Sequence, residues 1–287
     1  MPFHRPRFLR LILLTVSFAA CQTAPAAAAG KVSVLRNVAY ETSTGPRKMD
    51  LYLPDRADLS PAAPCVIWMG KSGSSAREES VCGDLAGAGF VVAQIDYEPV
   101  DRPSDEPVMT GKCAVRFIRS SAAKFGVDER RIAIAGSSQG GAYALLVGLT
   151  REEPRFAVKD LYPGVSDHVG AVVTLSAVTD LRPLYGDLKG WPAEHVEELR
   201  LLSPVAHVTA NAPAVLLFHG TNDKTIGNEH ATNLKKLLAQ HRVPHRLVML
   251  DRVGHAYSLT TTNGRPLPVD VKDICVTFLR IYLAEAK

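Results

Sequence analysis

From Lys31 onward, short apolar runs alternate with stretches whose apolar positions recur every three or four residues. Two β-rich runs come first, Val32–Val38 and Met49–Leu53, joined through Thr-Gly-Pro at 44–46, and they predict an antiparallel entry into a sheet. The runs that follow are continuous: Cys65–Met69, Phe90–Ile95, Ile132–Ala135, Ala171–Leu175 and Ala214–Phe218, with a mixed strand at His245–Leu250. Apolar runs without alternation suit parallel strands covered on both faces. Between them, residues 78–88 and 109–125 have helical spacing, as in Val115, Ile118, Ala122 and Phe125. Gly140–Leu149 is apolar all round, as a buried helix is, while Glu229–Gln240 and Val269–Ala284 are amphipathic. Strands alternating with helices predict a doubly wound, mostly parallel α/β sheet with helices on both faces. Residues 151–168 and 181–208 have no clear period and are expected to be loops or a small cap. With no internal repeat, residues 31–287 read as one domain.

The first thirty residues follow a different pattern. His4, Arg5, Arg7 and Arg10 precede an apolar stretch, Leu11–Ala20, that is too short to span a bilayer. Residues 1–20 therefore read as an export signal, and the Ala/Pro-rich residues 21–30 as a tether. Cys21, preceded by Phe18-Ala-Ala, resembles the lipobox of bacterial lipoproteins, with Phe18 where leucine is usual. The resemblance implies lipidation of Cys21; cleavage after Ala26–Ala29 is the rival reading. Either one places the protein in the cell envelope or outside it, touching membrane only through an N-terminal lipid.

Charge changes the picture once the signal is set aside. The whole chain has 33 Lys+Arg against 29 Asp+Glu, and loss of the three arginines in residues 1–20 leaves 30 against 29. A near-neutral chain lacks the basic footprint that nucleic-acid binding needs. Cys65, Cys82, Cys113 and Cys275 fit no metal-site spacing. Cys65 and Cys275 sit in apolar runs and read as buried thiols; Cys82 and Cys113 are candidates for a disulfide in an exported protein.

The candidate chemistry centres on Gly136-Ser-Ser-Gln-Gly140. A chain this long contains Gly-x-Ser-x-Gly by chance about one time in ten, so its setting decides. An apolar strand run ends just before it and an apolar helix opens at Gly140, as a nucleophile on a tight strand-to-helix turn requires. Ser138 is the candidate nucleophile, and the adjacent Ser137 is out of register.

A serine needs a base. Among nine histidines, His4 lies in the signal, and His168, His195, His230 and His241 lie in polar stretches expected to be exposed. His219 ends an apolar strand and reads as structural. His255, in Gly-His-Ala-Tyr just past the last strand, is the candidate base, because α/β sites are built where strands end. Asp223, after Ala214–Phe218, is the preferred acid; Asp180, after Ala171–Leu175, competes with it, and Asp251 is too close in sequence to His255. Ser138, Asp223 and His255 occur in the chain order expected of a hydrolase built on this sheet.

These residues resemble the bacterial esterase/lipase branch of the α/β-hydrolase superfamily, which includes acetyl-xylan- and feruloyl-esterase-like enzymes and prolyl-oligopeptidase-like catalytic domains. The likeness runs through Val91-Val-Ala-Gln-Ile-Asp-Tyr97 and the block from Ala114 to the elbow. It continues in Ser203-Pro-Val-Ala-His-Val208, in Pro213–Asp223 and in the 254–257 loop. It implies metal- and cofactor-independent acyl transfer in which Ser138 attacks, His255 moves the proton and Asp223 orients His255. One departure is Trp68-Met-Gly-Lys-Ser-Gly-Ser74, which stands where relatives carry His-Gly-Gly and its oxyanion amides. The backbone N–H groups of Gln139 and of Lys71 or Gly70 are the remaining candidates.

The expected function is an exported carboxylic-ester hydrolase acting on short-acyl esters, either small esters or acetylated polysaccharide. An aromatic content of 7% marks no obvious sugar platform. The alternatives are a peptidase or amidase of the same fold, and a catalytically weak envelope-anchored binding protein.

Overall fold

A computed structural model describes residues 31–55, 61–71, 75–97, 104–151 and 153–284. The export signal, tether and Cys21 lie outside the described residues. Strands β1 (Val32–Thr42) and β2 (Gly45–Pro54) form the antiparallel entry, longer than the sequence pattern suggested. Strands β3 (Ala63–Lys71), β4 (Val91–Tyr97), β5 (Val127–Ser137), β6 (Ala171–Leu175), β7 (Ala214–Gly220) and β8 (His245–Leu250) follow. They assemble as β1-β2-β4-β3-β5-β6-β7-β8, with every pair from β4 onward parallel.

The continuous apolar runs divide between two cores by simple alternation. Cys65, Ile67 and Met69 of β3 face one core, and Val66 and Trp68 face the other. The first core lies under α2 (Glu106–Ser120), α3 (Ala122–Phe125), α4 (Ser138–Leu149) and α6 (Asn228–Gln240). The second lies under α1 (Ala76–Gly87) and α7 (Val271–Ala284). Helix α1 opens with a capping box, in which Glu78 N–H donates to Ser75 Oγ and Ser75 N–H donates to Glu78 Oε2. Helix α4 is anchored at its far end by the buried Lys112, whose ammonium donates to the Thr150 carbonyl at 2.6 Å.

Two expectations are corrected and a third is made more specific. Cys82 and Cys113 are free and lie in opposite cores with the sheet between them, so no bridge can form. The single helix expected over 109–125 starts at Glu106 and breaks at Ser121 into α2 and α3. The aperiodic 181–208 stretch contains α5 (Ala193–Leu201), which buries only Leu199 and so leaves no apolar stripe in the sequence. It is tied down by charge instead: Arg155 pairs with both Asp105 and Glu198, joining α5 to the start of α2.

Candidate active site

The site lies at the C-terminal ends of the parallel strands, where the chain leaves each strand for a loop or helix. The turn from β5 into α4 places Ser138 at φ 54°, a left-handed conformation that a serine holds only under constraint. The constraint is crowding. A Cβ on Gly136 would overlap the Gly140 carbonyl, and one on Gly140 would overlap the Met69 carbonyl. Only glycine at both positions lets α4 start this close to β5 and β3. The same closeness sets Gly70 and Lys71, at the end of β3, beside the open first turn of α4. There the backbone N–H of Gln139 has no intrahelical partner. Gly70 is not squeezed, since a Cβ would meet Ile95 O at 3.4 Å.

The loops after β7 and β8 are stitched together. Asn222 N–H donates to Val253 O at 2.9 Å, and Arg252 N–H donates to Thr221 Oγ1 at 2.8 Å. This brings His255 between Asp223 and Ser138. Its Nδ1 lies 2.8 Å from Asp223 Oδ2 and its Nε2 lies 3.0 Å from Ser138 Oγ. A carboxylate only accepts, so Nδ1 carries the proton and Nε2 is free to accept from the serine hydroxyl.

The Asp223 side chain is fully buried. Burial by itself pushes its carboxyl up, yet it sits below the usual carboxylate range. Hydrogen bonds from Ile226 N–H, His255, the Ser176 hydroxyl and Thr225 N–H outweigh the desolvation. The Ile226 and Thr225 amides both reach Oδ1 at 2.9 Å. His219, as expected from its sequence setting, is buried and structural: its Nε2 donates to Ile226 O at 2.9 Å and so braces the Asp223 loop.

Asp180 is not part of this group. It forms a two-pronged pair with Arg182, at 2.7 and 2.9 Å, and meets Ser203 Oγ at 3.3 Å. His230 departs from expectation. It is buried, and its Nδ1 accepts from the backbone N–H of Thr179 at 3.2 Å and of Asp180 at 3.3 Å.

One residue here had no signal in the sequence. Ser176, at the end of β6, is fully buried at φ 47°, and its hydroxyl stands 3.3 Å from Tyr257 Oη as well as stabilising Asp223. Tyr257 and Trp68 also line the cleft of about 360 Å³ that holds Ser138, together with Val81, Tyr97, Arg77 and Gln139. A buried serine after an apolar strand is too ordinary a pattern to single out before the fold is known.

The BD-FAE family profile matches residues 49–238, about two thirds of the chain. The chain belongs to the BD-FAE family. Among its relatives, Esterase LipC of Mycobacterium tuberculosis is 31% identical over 195 residues, covering 63% of this chain and 48% of the relative. The probable carboxylic ester hydrolase LipM of the same organism is 25% identical over 231 residues, covering 74% and 52%. The chain thus spans about half the length of these curated relatives. Of solved structures, a truncated carbohydrate esterase from gut microbiota superposes with a TM-score of 0.74 at 22% identity, covering 91% of this chain and 99% of that one. An esterase from Thermogutta terrifontis gives 0.70 at 22% identity, covering 88% and 94%. The BD-FAE chain therefore has the α/β-hydrolase fold expected from its sequence.

Proposed function

We propose that this protein is a serine ester hydrolase that works through an acyl-enzyme. The observation that carries the reading is the unbroken run from Ser138 Oγ through His255 to Asp223, at 3.0 and 2.8 Å, on a strained serine at a helix N-terminus. Ser138 attacks the ester carbonyl as its proton passes to His255 Nε2. The imidazolium, steadied by Asp223, gives that proton to the departing alcohol, and water then attacks the acyl-enzyme by the same route to release the acid. The carbonyl oxygen gains charge beside the Gln139 N–H and the positive end of α4, with Gly70 or Lys71 at the end of β3 as second donor.

Trp68, Tyr97 and Tyr257 crowd the cleft at Ser138, which supports short acyl groups. The T. terrifontis esterase has been solved with butyrate and with propionate bound. Acylated carbohydrate is the proposed substrate class. Support comes from solved structures of the same fold, among them a carbohydrate esterase from gut microbiota and an acetyl ester-xyloside bifunctional hydrolase from Caldicellulosiruptor lactoaceticus. Residues 1–20, with Cys21 or the Ala26–Ala29 run as processing site, support an enzyme exported to the cell envelope.

A fluorophosphonate probe tests the reading. It is expected to label Ser138 in the folded protein and to block turnover of p-nitrophenyl acetate, with hydrolysis falling as acyl length grows. No labelling of the folded wild-type protein would instead favour a binding protein that retains the fold.

A further inference from the structure

The cleft wall does not end at Tyr97. The Tyr97 ring packs edge-on against Tyr143, with centroids 4.9 Å apart, and Tyr143 Oη accepts from Gln139 Nε2 at 2.9 Å, one residue from Ser138. Burial pushes the Tyr143 hydroxyl up to about 12. Tyr185 meets Trp191 edge-on, with centroids 5.8 Å apart. Val178 N–H donates to the Ser138 carbonyl at 3.3 Å, so the loop after β6 that carries Tyr185 starts against the nucleophile turn.

The outer pair is held in place from below. Leu181, just before the 3-10 turn Arg182–Tyr185, packs with Ala142, Val178 and Ile226, and the Asp180–Arg182 pair fixes the entry to that turn. Yet the pair itself is open to solvent, with Tyr185 38% and Trp191 40% exposed, and Leu184 beside them 45% exposed. Among the described residues, three of the six exposed large apolar side chains lie in this eight-residue stretch. Tyr185 Oη and Trp191 Nε1 have no hydrogen-bond partner there either, which leaves one acceptor and two donors idle beside two ring faces. Solvent-exposed aromatics that are clustered and anchored on a loop beside the nucleophile turn mark a ligand surface.

We propose that Tyr185 and Trp191 form the subsite for the alcohol side of the ester, binding one sugar ring by its apolar C–H face while Tyr185 Oη and Trp191 Nε1 bond ring hydroxyls. Chemistry selects this occupant. A pyranose has an apolar face bordered by hydroxyls, and the pair offers apolar faces bordered by unpaired polar atoms. An acyl tail would leave those atoms unused. The subsite rests on the esterase reading above and assigns it two specificity-determining side chains.

Two measurements test it. In the first, Trp191→Ala and Tyr185→Ala are assayed on p-nitrophenyl acetate and on an acetylated xylo-oligosaccharide. On the oligosaccharide, kcat/KM is expected to fall about tenfold, carried by KM, the size of effect a lost aromatic stack gives. Turnover of p-nitrophenyl acetate is expected to stay within about twofold, and Trp191→Phe is expected to recover most of the loss. In the second, the same oligosaccharide is titrated against Ser138→Ala. It is expected to shift the emission of Trp191, the exposed one of only two tryptophans, and the shift should vanish in Ser138→Ala/Trp191→Phe. If p-nitrophenyl acetate is hydrolysed but neither oligosaccharide readout responds, the subsite is overturned and the esterase reading stands. If neither ester is hydrolysed but Trp191 emission still shifts, the esterase reading fails and the subsite stands.

Discussion

His255 Nδ1 and Asp223 Oδ2 are 2.8 Å apart, whereas the other acid at a neighbouring strand end, Asp180, is locked to Arg182. Asp223→Asn would place an amide where the imidazole needs an acceptor and would favour the wrong tautomer, so kcat for p-nitrophenyl acetate is expected to fall by about 10³–10⁴. Asp180→Asn keeps the His255 contacts and is expected to cost less than about tenfold. Steady-state kinetics on the two variants decides, and the reverse order would move the acid to the loop after β6.

Ser138 stores backbone strain at φ 54°. Ser138→Gly relieves it and is expected to raise unfolding stability by about 1 kcal/mol while abolishing hydrolysis. Ser138→Ala keeps the strain, so it should lose activity equally with little change in Tm. Calorimetry on the two inactive variants separates strain from chemistry; equal Tm values would mean that the elbow is unstrained.

Gly140 has no room for a side chain. Gly140→Ala drives a methyl into the Met69 carbonyl and is expected to cost about 1–3 kcal/mol. It should also displace α4 relative to β3 and lower kcat. Gly83→Ala, where nothing lies within 4 Å of the added methyl, is the matched control.

Ser176 is placed to hold Asp223 ionised. Removing its hydroxyl in Ser176→Ala lets the Asp223 carboxyl move up toward its ordinary range. The stability that the ionised Asp223 contributes is complete at neutral pH and lost as pH falls through its folded-state pKa. That acid-side loss of stability is therefore expected to begin at higher pH in Ser176→Ala, as denaturant melts across acid pH would show. A pH profile identical to wild type would reduce Ser176 to a packing role.

His230 is held neutral. Burial lowers its pKa from the usual value of 6.5, against the opposing pull of Glu229 and Asp180. The unfolded chain therefore binds the proton first, and the stability from this site is complete above about pH 6.5 and lost as pH falls below it. His230→Ala is expected to flatten that part of the stability–pH curve, and also to cost about 1–3 kcal/mol at pH 8 by orphaning the Thr179 and Asp180 amides. Denaturant melts of both proteins across pH 5–8 check it as a difference; His168, shifted in the same direction, is common to both.

The parallel strands were legible because burial on two faces demands unbroken apolar runs. Ala171–Leu175 and His245–Leu250 match the sequence pattern residue for residue. The elbow was legible because its glycines, strand and helix are contiguous, and so was the place of Asp223 in the loop after β7, where it meets His255. By contrast, α5 is fixed by Arg155 and not by an apolar stripe, so periodicity passed over it. His230 looked exposed because its neighbours are polar; its burial comes from packing against the loop after β6.

The sequence by itself determined what is local or written in one-dimensional order: strand-before-helix at Ser138, apolar runs that must be covered twice, and the order of Ser138, Asp223 and His255. Tertiary structure alone decided what depends on distance between remote segments. It separated Asp223 from Asp180, parted Cys82 from Cys113 by a sheet, recruited Ser176, and paired Tyr97 with Tyr143 and Tyr185 with Trp191. The reason is physical. Periodicity encodes which side of an element is buried, but contacts between loops are set by how the strands stack and twist, and no short window of sequence contains that.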